Sequence, residues 1–144
     1  MKITIKEPPA GAEEEIIVLC HNISPELLKV LNSLKASSNM LVANIGNEIH
    51  RVNPADVFYI ESVDKRTFLY CERDVYESKQ KLYELEEMAI KDFLRISKSA
   101  IVNMSKIKAI IPSLSSGAEA VLVNNERVAV SRRYLNDLRE TLGM

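Results

Sequence analysis

From Met40 to Val130 the chain is written in short apolar stretches separated by turn residues, and this punctuation constrains the fold more than any single residue does. Met40 to Ile45 and Glu48 to Val52 flank Gly46-Asn47, a dipeptide that readily adopts the left-handed backbone of a tight hairpin. Asn53-Pro54-Ala55-Asp56 makes the next corner. Val57 to Val63 and Thr67 to Glu72 then flank Asp64-Lys65-Arg66, and a further short strand is predicted at 75 to 77. Strands resume near 93 to 96, 107 to 112, 119 to 123 and 127 to 130, with Asn124-Asn125 as a tight turn between the last two. One helix interrupts the series, at about 79 to 90, with Ser78 as its cap and Leu82, Leu85, Met88 and Ala89 as its apolar stripe. Its Glu84, Glu86 and Glu87 read as a solvated face. A closing helix at 132 to 142 turns Leu135, Leu138 and Leu142 inward. The fold class is mainly β with few helices, and no internal repeat is present.

Residues 1 to 37 read as a separate ββα extension, and 38 to 144 as the main domain. The extension has a strand at 2 to 6, a turn around Pro8-Pro9-Ala10-Gly11 and a second strand at 15 to 20. A helix follows, with Ser24 as N-cap, Pro25 at the first position, and Leu27, Leu28, Leu31 and Leu34 on one face. Ala36-Ser37-Ser38-Asn39 has the composition of a linker. So small a unit cannot bury its own apolar surface, so it is expected to dock on the main domain or to dimerise.

Composition removes several function classes. No apolar run approaches the roughly 20 residues that span a bilayer. The alternating Met1-Lys2-Ile3-Thr4-Ile5-Lys6 does not resemble a secretory signal, so a soluble cytoplasmic protein is expected. Cys20 and Cys71 lie far apart with no paired spacing, which predicts two free, largely buried thiols rather than a disulfide or a zinc site. His21 and His50 are the only histidines, and neither neighbours a Ser or Cys at a nucleophile–base spacing. No Gly-rich phosphate loop or metal-ligand cluster appears. An enzyme is therefore not expected, nor a cofactor, a metal or a small-molecule substrate.

What the chain does contain is concentrated positive charge. Between Arg95 and Arg133 there are seven Lys or Arg (95, 98, 106, 108, 127, 132, 133) against two Glu (119, 126), although the whole chain carries a net charge of −1. In Phe93-Leu94-Arg95-Ile96-Ser97-Lys98-Ser99-Ala100-Ile101-Val102-Asn103, and again in Val130-Ser131-Arg132-Arg133-Tyr134-Leu135, cations and hydroxyls stand beside short apolar runs. A rigid scaffold holding cations at its edge can grip an anionic polymer. Ser131 reads as the cap of the last helix, placing Arg132 and Arg133 in its first turn, where a cation opposes the helix dipole by roughly 0.3–1 kcal/mol. A phosphate at that helix end would reverse the sign. The alternative is that one Arg packs over Tyr134 or pairs with Asp137 or Glu140. Lys98 and Ser99 fall in a polar loop between buried segments, where Ser99 could bond a phosphate or cap its own turn. Lys65 and Arg66 occupy a hairpin tip, where cations are usually just solvated.

These segments together resemble the LytTR DNA-binding domain of bacterial transcription regulators. The resemblance covers about residues 39 to 143 and rests on four ordered landmarks. They are Tyr59-Ile60-Glu61-Ser62 followed by the Lys65 tip, the acidic helix from Leu82 to Glu87, Phe93 to Ser99 running into Ile101-Val102-Asn103, and Val130-Ser131-Arg132-Arg133-Tyr134. It implies an elongated, LytTR-like β fold of about ten short strands whose loops, not a recognition helix, enter successive major grooves. It also implies binding of direct repeats in promoter DNA, commonly by two copies, which predicts a homodimer. Carried over by position, the DNA-binding residues are Lys65, Arg66 and Thr67 after Glu61, then Arg95, Ser97, Lys98 and Ser99, then Arg133; the charge pattern adds Arg132. Many members carry His where Ser97 stands and some a longer side chain where Thr67 stands, so a different base preference is expected. Residues 1 to 37 are too short for a phosphorylated receiver domain, and similar one-domain members are often paired with a small membrane-bound regulatory protein. The rival class is a protein-interaction adaptor or antagonist that uses the scaffold without gripping DNA.

Overall fold

In the computed structural model, which describes residues 2–38, 40–113 and 117–144, the predicted hairpins merge into two antiparallel sheets. The strands are β1 (Leu41–Ile45), β2 (Glu48–Val52), β3 (Val57–Val63), β4 (Arg66–Cys71), β5 (Val75–Ser78), β6 (Phe93–Ser97), β7 (Ala100–Asn103), β8 (Ile107–Pro112), β9 (Ala118–Leu122) and β10 (Arg127–Val130). The helices are α1 (Pro25–Ser38), α2 (Leu82–Glu87) and α3 (Arg132–Leu142). The larger sheet has the order β2-β1-β5-β4-β3-β7-β6 and the smaller β10-β9-β8.

Strand alternation divides the buried side chains between two cores. Ile101 and Val102 are neighbours in β7 and enter different ones. Ile60, Leu69, Val57 and Ile101 pack with Leu82 and Leu85 of α2. Val102, Ile96 and Phe58 pack with Ala120, Leu122, Val128 and Val130 of the smaller sheet and with Leu138 of α3. Leu138 is fully buried and Leu135 and Leu142 pack beside it, as their spacing predicts. Tyr59 stacks on Tyr70 at 4.4 Å between ring centres. Burial first, and then the Glu126 carboxylate that accepts its hydroxyl, hold Tyr59 above the ordinary tyrosine range and tie the β9–β10 turn to the larger sheet.

Three expectations need correction. The strands predicted at 2 to 6 and 15 to 20 do not form among the described residues. The turn between them does, with Gly11 at φ 83° and the Ala12 N–H donating to Pro9 O. An isolated two-stranded ribbon is marginal in water, and neither segment pairs with a described strand of the two sheets. The helix that follows is present, with the Leu27 N–H donating to Ser24 Oγ at 3.1 Å as the cap predicts. Secondly, α2 begins at Leu82 rather than 79: Ser78 ends β5 and accepts the Gln80 N–H, while Glu84 reaches back to the Lys81 N–H. The helix ends early because Ala89 takes a left-handed backbone, φ 49°. Thirdly, Cys20 is exposed, since the strand meant to bury it is absent, and Cys71 is half-buried.

Candidate nucleic-acid interface

The β3–β4 hairpin closes through Asp64 and Lys65, which take φ 51° and 64°. Left-handed backbone at both central residues matches the right-handed strand twist, but side chains with a Cβ adopt it at a cost. Lys65 is thereby fixed at the tip, exposed. β6 and β7 close over Ser97 to Ala100, after a register shift between Arg95 and Ser97. β10 runs directly into α3 at Ser131.

Two backbone hydrogen bonds bring these turns together. The Ser62 N–H donates to Ser99 O at 2.8 Å, which sets the β6–β7 turn against the end of β3. The Ser131 N–H donates to Ile96 O at 2.9 Å, which sets the start of α3 against the end of β6. Lys65, Lys98 and the first turn of α3 therefore share one end of the larger sheet. Gly117, at φ 66°, lies at the same end, where a Cβ would meet Val130 O at 2.0 Å; the close approach of the two chains there needs glycine.

The predicted residues separate into groups. Lys65 and Lys98 are exposed and make no ion pair with the described residues. Arg133 is exposed, with its guanidinium 5.6 Å from the centre of the Tyr134 ring, so the stacking anticipated for one arginine is present. Arg132 is exposed beside it in the first turn. Ser131 occupies the N-cap position, but its hydroxyl makes no capping hydrogen bond.

Arg66, Thr67, Ser97 and Arg95 are placed differently. Arg66 closes a fork on Glu77 with bonds of 2.8–3.2 Å, and its guanidinium stands 5.2 Å from the Phe68 ring centre. Glu77 raises the Arg66 pKa, and Arg66 lowers that of Glu77, so this cation is already paired within the sheet. Thr67 is 3% exposed, paired with Ser62 and Ser78 across the sheet, and cannot reach a duplex without local opening. The Ser97 hydroxyl is turned into its own loop, accepting the Ser99 N–H at 3.2 Å, so the turn is capped by Ser97 rather than by Ser99. Arg95 is half-buried: its Nε donates to Ser97 O and its Nη2 to Lys98 O, each at 2.6 Å. Its Nη1 lies 3.5 Å from Glu86, so the acidic face of α2 is not wholly solvated.

The positive charge concentrated in sequence divides in space. Lys106 follows the far end of β7 and lies 5.0 Å from the Phe58 ring centre. Lys108 donates to Asn125, and Arg127 pairs with Glu119 at 3.2 Å. Meanwhile Lys79, overlooked because its position suggested a helix start, joins Gly46, Lys65 and Arg66 around a shallow recess at the cation-bearing end. The signal that could have found it is the register Thr67↔Ser78, which places the end of β5 beside the β3–β4 tip.

Comparison with known proteins agrees with this fold. The family model of the LytTr DNA-binding domain matches residues 47–143. The chain is similar to an uncharacterized HTH-type transcriptional regulator of Staphylococcus aureus (strain MSSA476), 31% identical over 146 residues, covering 100% of this chain and 99% of the relative. A second such regulator, from strain NCTC 8325 / PS 47, is 31% identical over 118 residues, 82% of this chain and 80% of the relative. Among solved structures, the LytTr DNA-binding domain of a Bacillus cereus protein superposes with a TM-score of 0.68 at 34% identity, covering 73% of this chain and 97% of that one. The relatives' label refers to paired helices, whereas the described helices of this chain are separated from each other by strands.

Proposed function

The chain belongs to the LytTR DNA-binding domain family, and on that premise we propose that it is a cytoplasmic, sequence-specific transcription regulator that reads duplex DNA through the cation-bearing end of its larger sheet. The observation that carries the reading is the pair of backbone bonds, Ser62 to Ser99 and Ser131 to Ile96, which align three cation-bearing segments on one end. From β4 across β3, β7 and β6 to α3 is about 25 Å at ordinary strand and helix spacings, wider than a single major groove of about 12 Å. Segments at the two extremes can thus enter successive grooves while the β6–β7 turn crosses the phosphates between them.

Lys65, Lys98, Arg132 and Arg133 supply charge, Ser99 a hydroxyl, and the first turn of α3 its N–H groups. Arg133 is the candidate for a guanine edge, since a planar fork can bond O6 and N7 together. Two copies, joined through residues 1 to 37, would engage a repeated pair of half-sites in promoter DNA.

Selection from randomised duplexes by the full chain, followed by titration at several salt concentrations, tests this reading. It should enrich a short block repeated at about one helical turn, with log affinity falling linearly in log salt. Equal affinity for selected and random duplexes would remove sequence reading. A chain that holds no duplex even at low salt would belong with protein-binding modules built on the same scaffold.

A further inference from the structure

Arg95 lies in the middle of the basic motif, yet its donors are directed into the protein. Nε and Nη2 bind the carbonyls of Ser97 and Lys98, and Nη1 faces Glu86 of α2. The next carbonyl, Ser99 O, accepts from the Ser62 N–H. Three consecutive carbonyl oxygens of the β6–β7 turn are thus held by donors from the protein. Left free, they would present partial negative charge at the surface that has to meet phosphates. With them tied down, the exposed Lys98 side chain is what the turn offers outward, while the Ser99 hydroxyl lies 3.4 Å from that of Ser97.

We propose that Arg95 is a positioning residue: it clamps the β6–β7 turn in its DNA-reading shape, and Glu86 holds the clamp in place. The inference rests on the DNA-binding function proposed above. Its geometric basis is that the Arg95 side chain is only 17% exposed and its donors already lie on Ser97 O, Lys98 O and Glu86. A guanidinium suits the task because its rigid fork can bridge two adjacent carbonyls, which a single ammonium point charge cannot do with the same geometry.

The sign of one substitution separates this role from direct contact. Were Arg95 a DNA contact, Glu86 would only compete with phosphate for it, and Glu86→Gln would strengthen binding. As a clamp support, Glu86→Gln should weaken binding to the selected duplex, although it removes a negative charge. Arg95→Met should weaken that binding roughly tenfold, the effect of about one mismatched base pair, while leaving the slope of log affinity on log salt unchanged. Lys98→Met should lower the slope by about one. Arg95→Lys should fail to restore affinity.

Hydrogen exchange at the Lys98 and Ser99 amides, followed without DNA, supplies an independent readout. It should accelerate in Arg95→Met, and to a smaller degree in Glu86→Gln. Tighter binding by Glu86→Gln, or a salt slope reduced by about one in Arg95→Met, would overturn the clamp and make Arg95 a phosphate contact. Unchanged exchange in both variants would overturn it as well. If wild-type protein binds no duplex, the functional reading fails, and the exchange measurement still decides whether Arg95 shapes the turn. Glu86 is exposed, so its variant remains informative even if Arg95→Met does not fold.

Discussion

A residue's membership of a motif does not fix its task, and Asn103 and Arg133 mark the two extremes. Asn103 stands in the same landmark as Lys98 but is 1% exposed. Its Nδ2 donates to Val57 O at 2.8 Å, and its Oδ1 accepts from the Ser105 N–H and hydroxyl at 3.1 and 2.7 Å. That amide ties β7 to the start of β3 and caps the following turn, so it belongs to the fold. Arg133 is exposed, with its guanidinium over the Tyr134 ring face, a contact worth about 0.5–1 kcal/mol at exposed sites. Arg133→Ala should therefore leave the melting temperature nearly unchanged. It should weaken binding to the selected duplex by about 1–3 kcal/mol, with much less effect on random DNA. Equal losses on both would reduce it to a phosphate contact, and a fall in melting temperature would reassign it to packing.

At the scale of elements, the β3–β4 hairpin sets folding against function most openly. Lys65 holds a left-handed backbone that glycine would adopt without the Cβ penalty. Lys65→Gly should thus raise stability by roughly 0.5–1 kcal/mol in thermal melts, while weakening DNA binding and reducing its salt slope by about one. A variant that gains stability and binds DNA with an unchanged slope would take the tip out of the interface. The same hairpin shows what a sequence can carry. β2, β3, β8, β10 and α3 have the bounds that alternation, helical spacing and turn residues predict, because those signals are local. The polar loop at Lys98-Ser99 was legible, but β7 after it was not predicted as a strand because the four residues from Ala100 to Asn103 show no alternation. Its strand identity comes from pairing with β3. The pairing of Arg66 with Glu77 was illegible for a similar reason, since it follows from the β4–β5 register rather than from either residue's neighbours. So was the burial of Thr67. The positions of Lys65, Lys98 and Arg133 were legible as three separate basic sites. Their meeting at one end depends on hydrogen bonds between segments remote in sequence.

For the whole molecule, the open question is what covers the first part of the chain. Both cores lie among residues 41 to 138. Outside them, Ile3, Ile5 and Leu19 are 83%, 92% and 92% exposed, and Ile16 and Ile17 remain 71% and 68% exposed. On α1, Leu28 is exposed and Leu27 and Leu31 are only half-buried. A monomer has little reason to leave so many large apolar side chains in water, and the alternation that predicted strands at 2 to 6 and 15 to 20 still needs a partner to hydrogen-bond with. A second copy offers the same segments and so a self-complementary surface. It also has a functional return, because joining two readers makes the second half-site contact intramolecular, a gain of about 10²–10⁴ when the spacing fits. Removing residues 1 to 37 should leave a folded protein, since both cores are retained and the Bacillus cereus domain that superposes on 73% of this chain is itself almost entirely covered. The truncated chain should sediment as a monomer and bind a single half-site as the full chain does. On a repeated pair it should lose the cooperative gain. Should it remain dimeric, or hold the repeated pair as tightly as the full chain, the first 37 residues would have no part in assembly and the dimer contact would have to lie on the sheet domain itself.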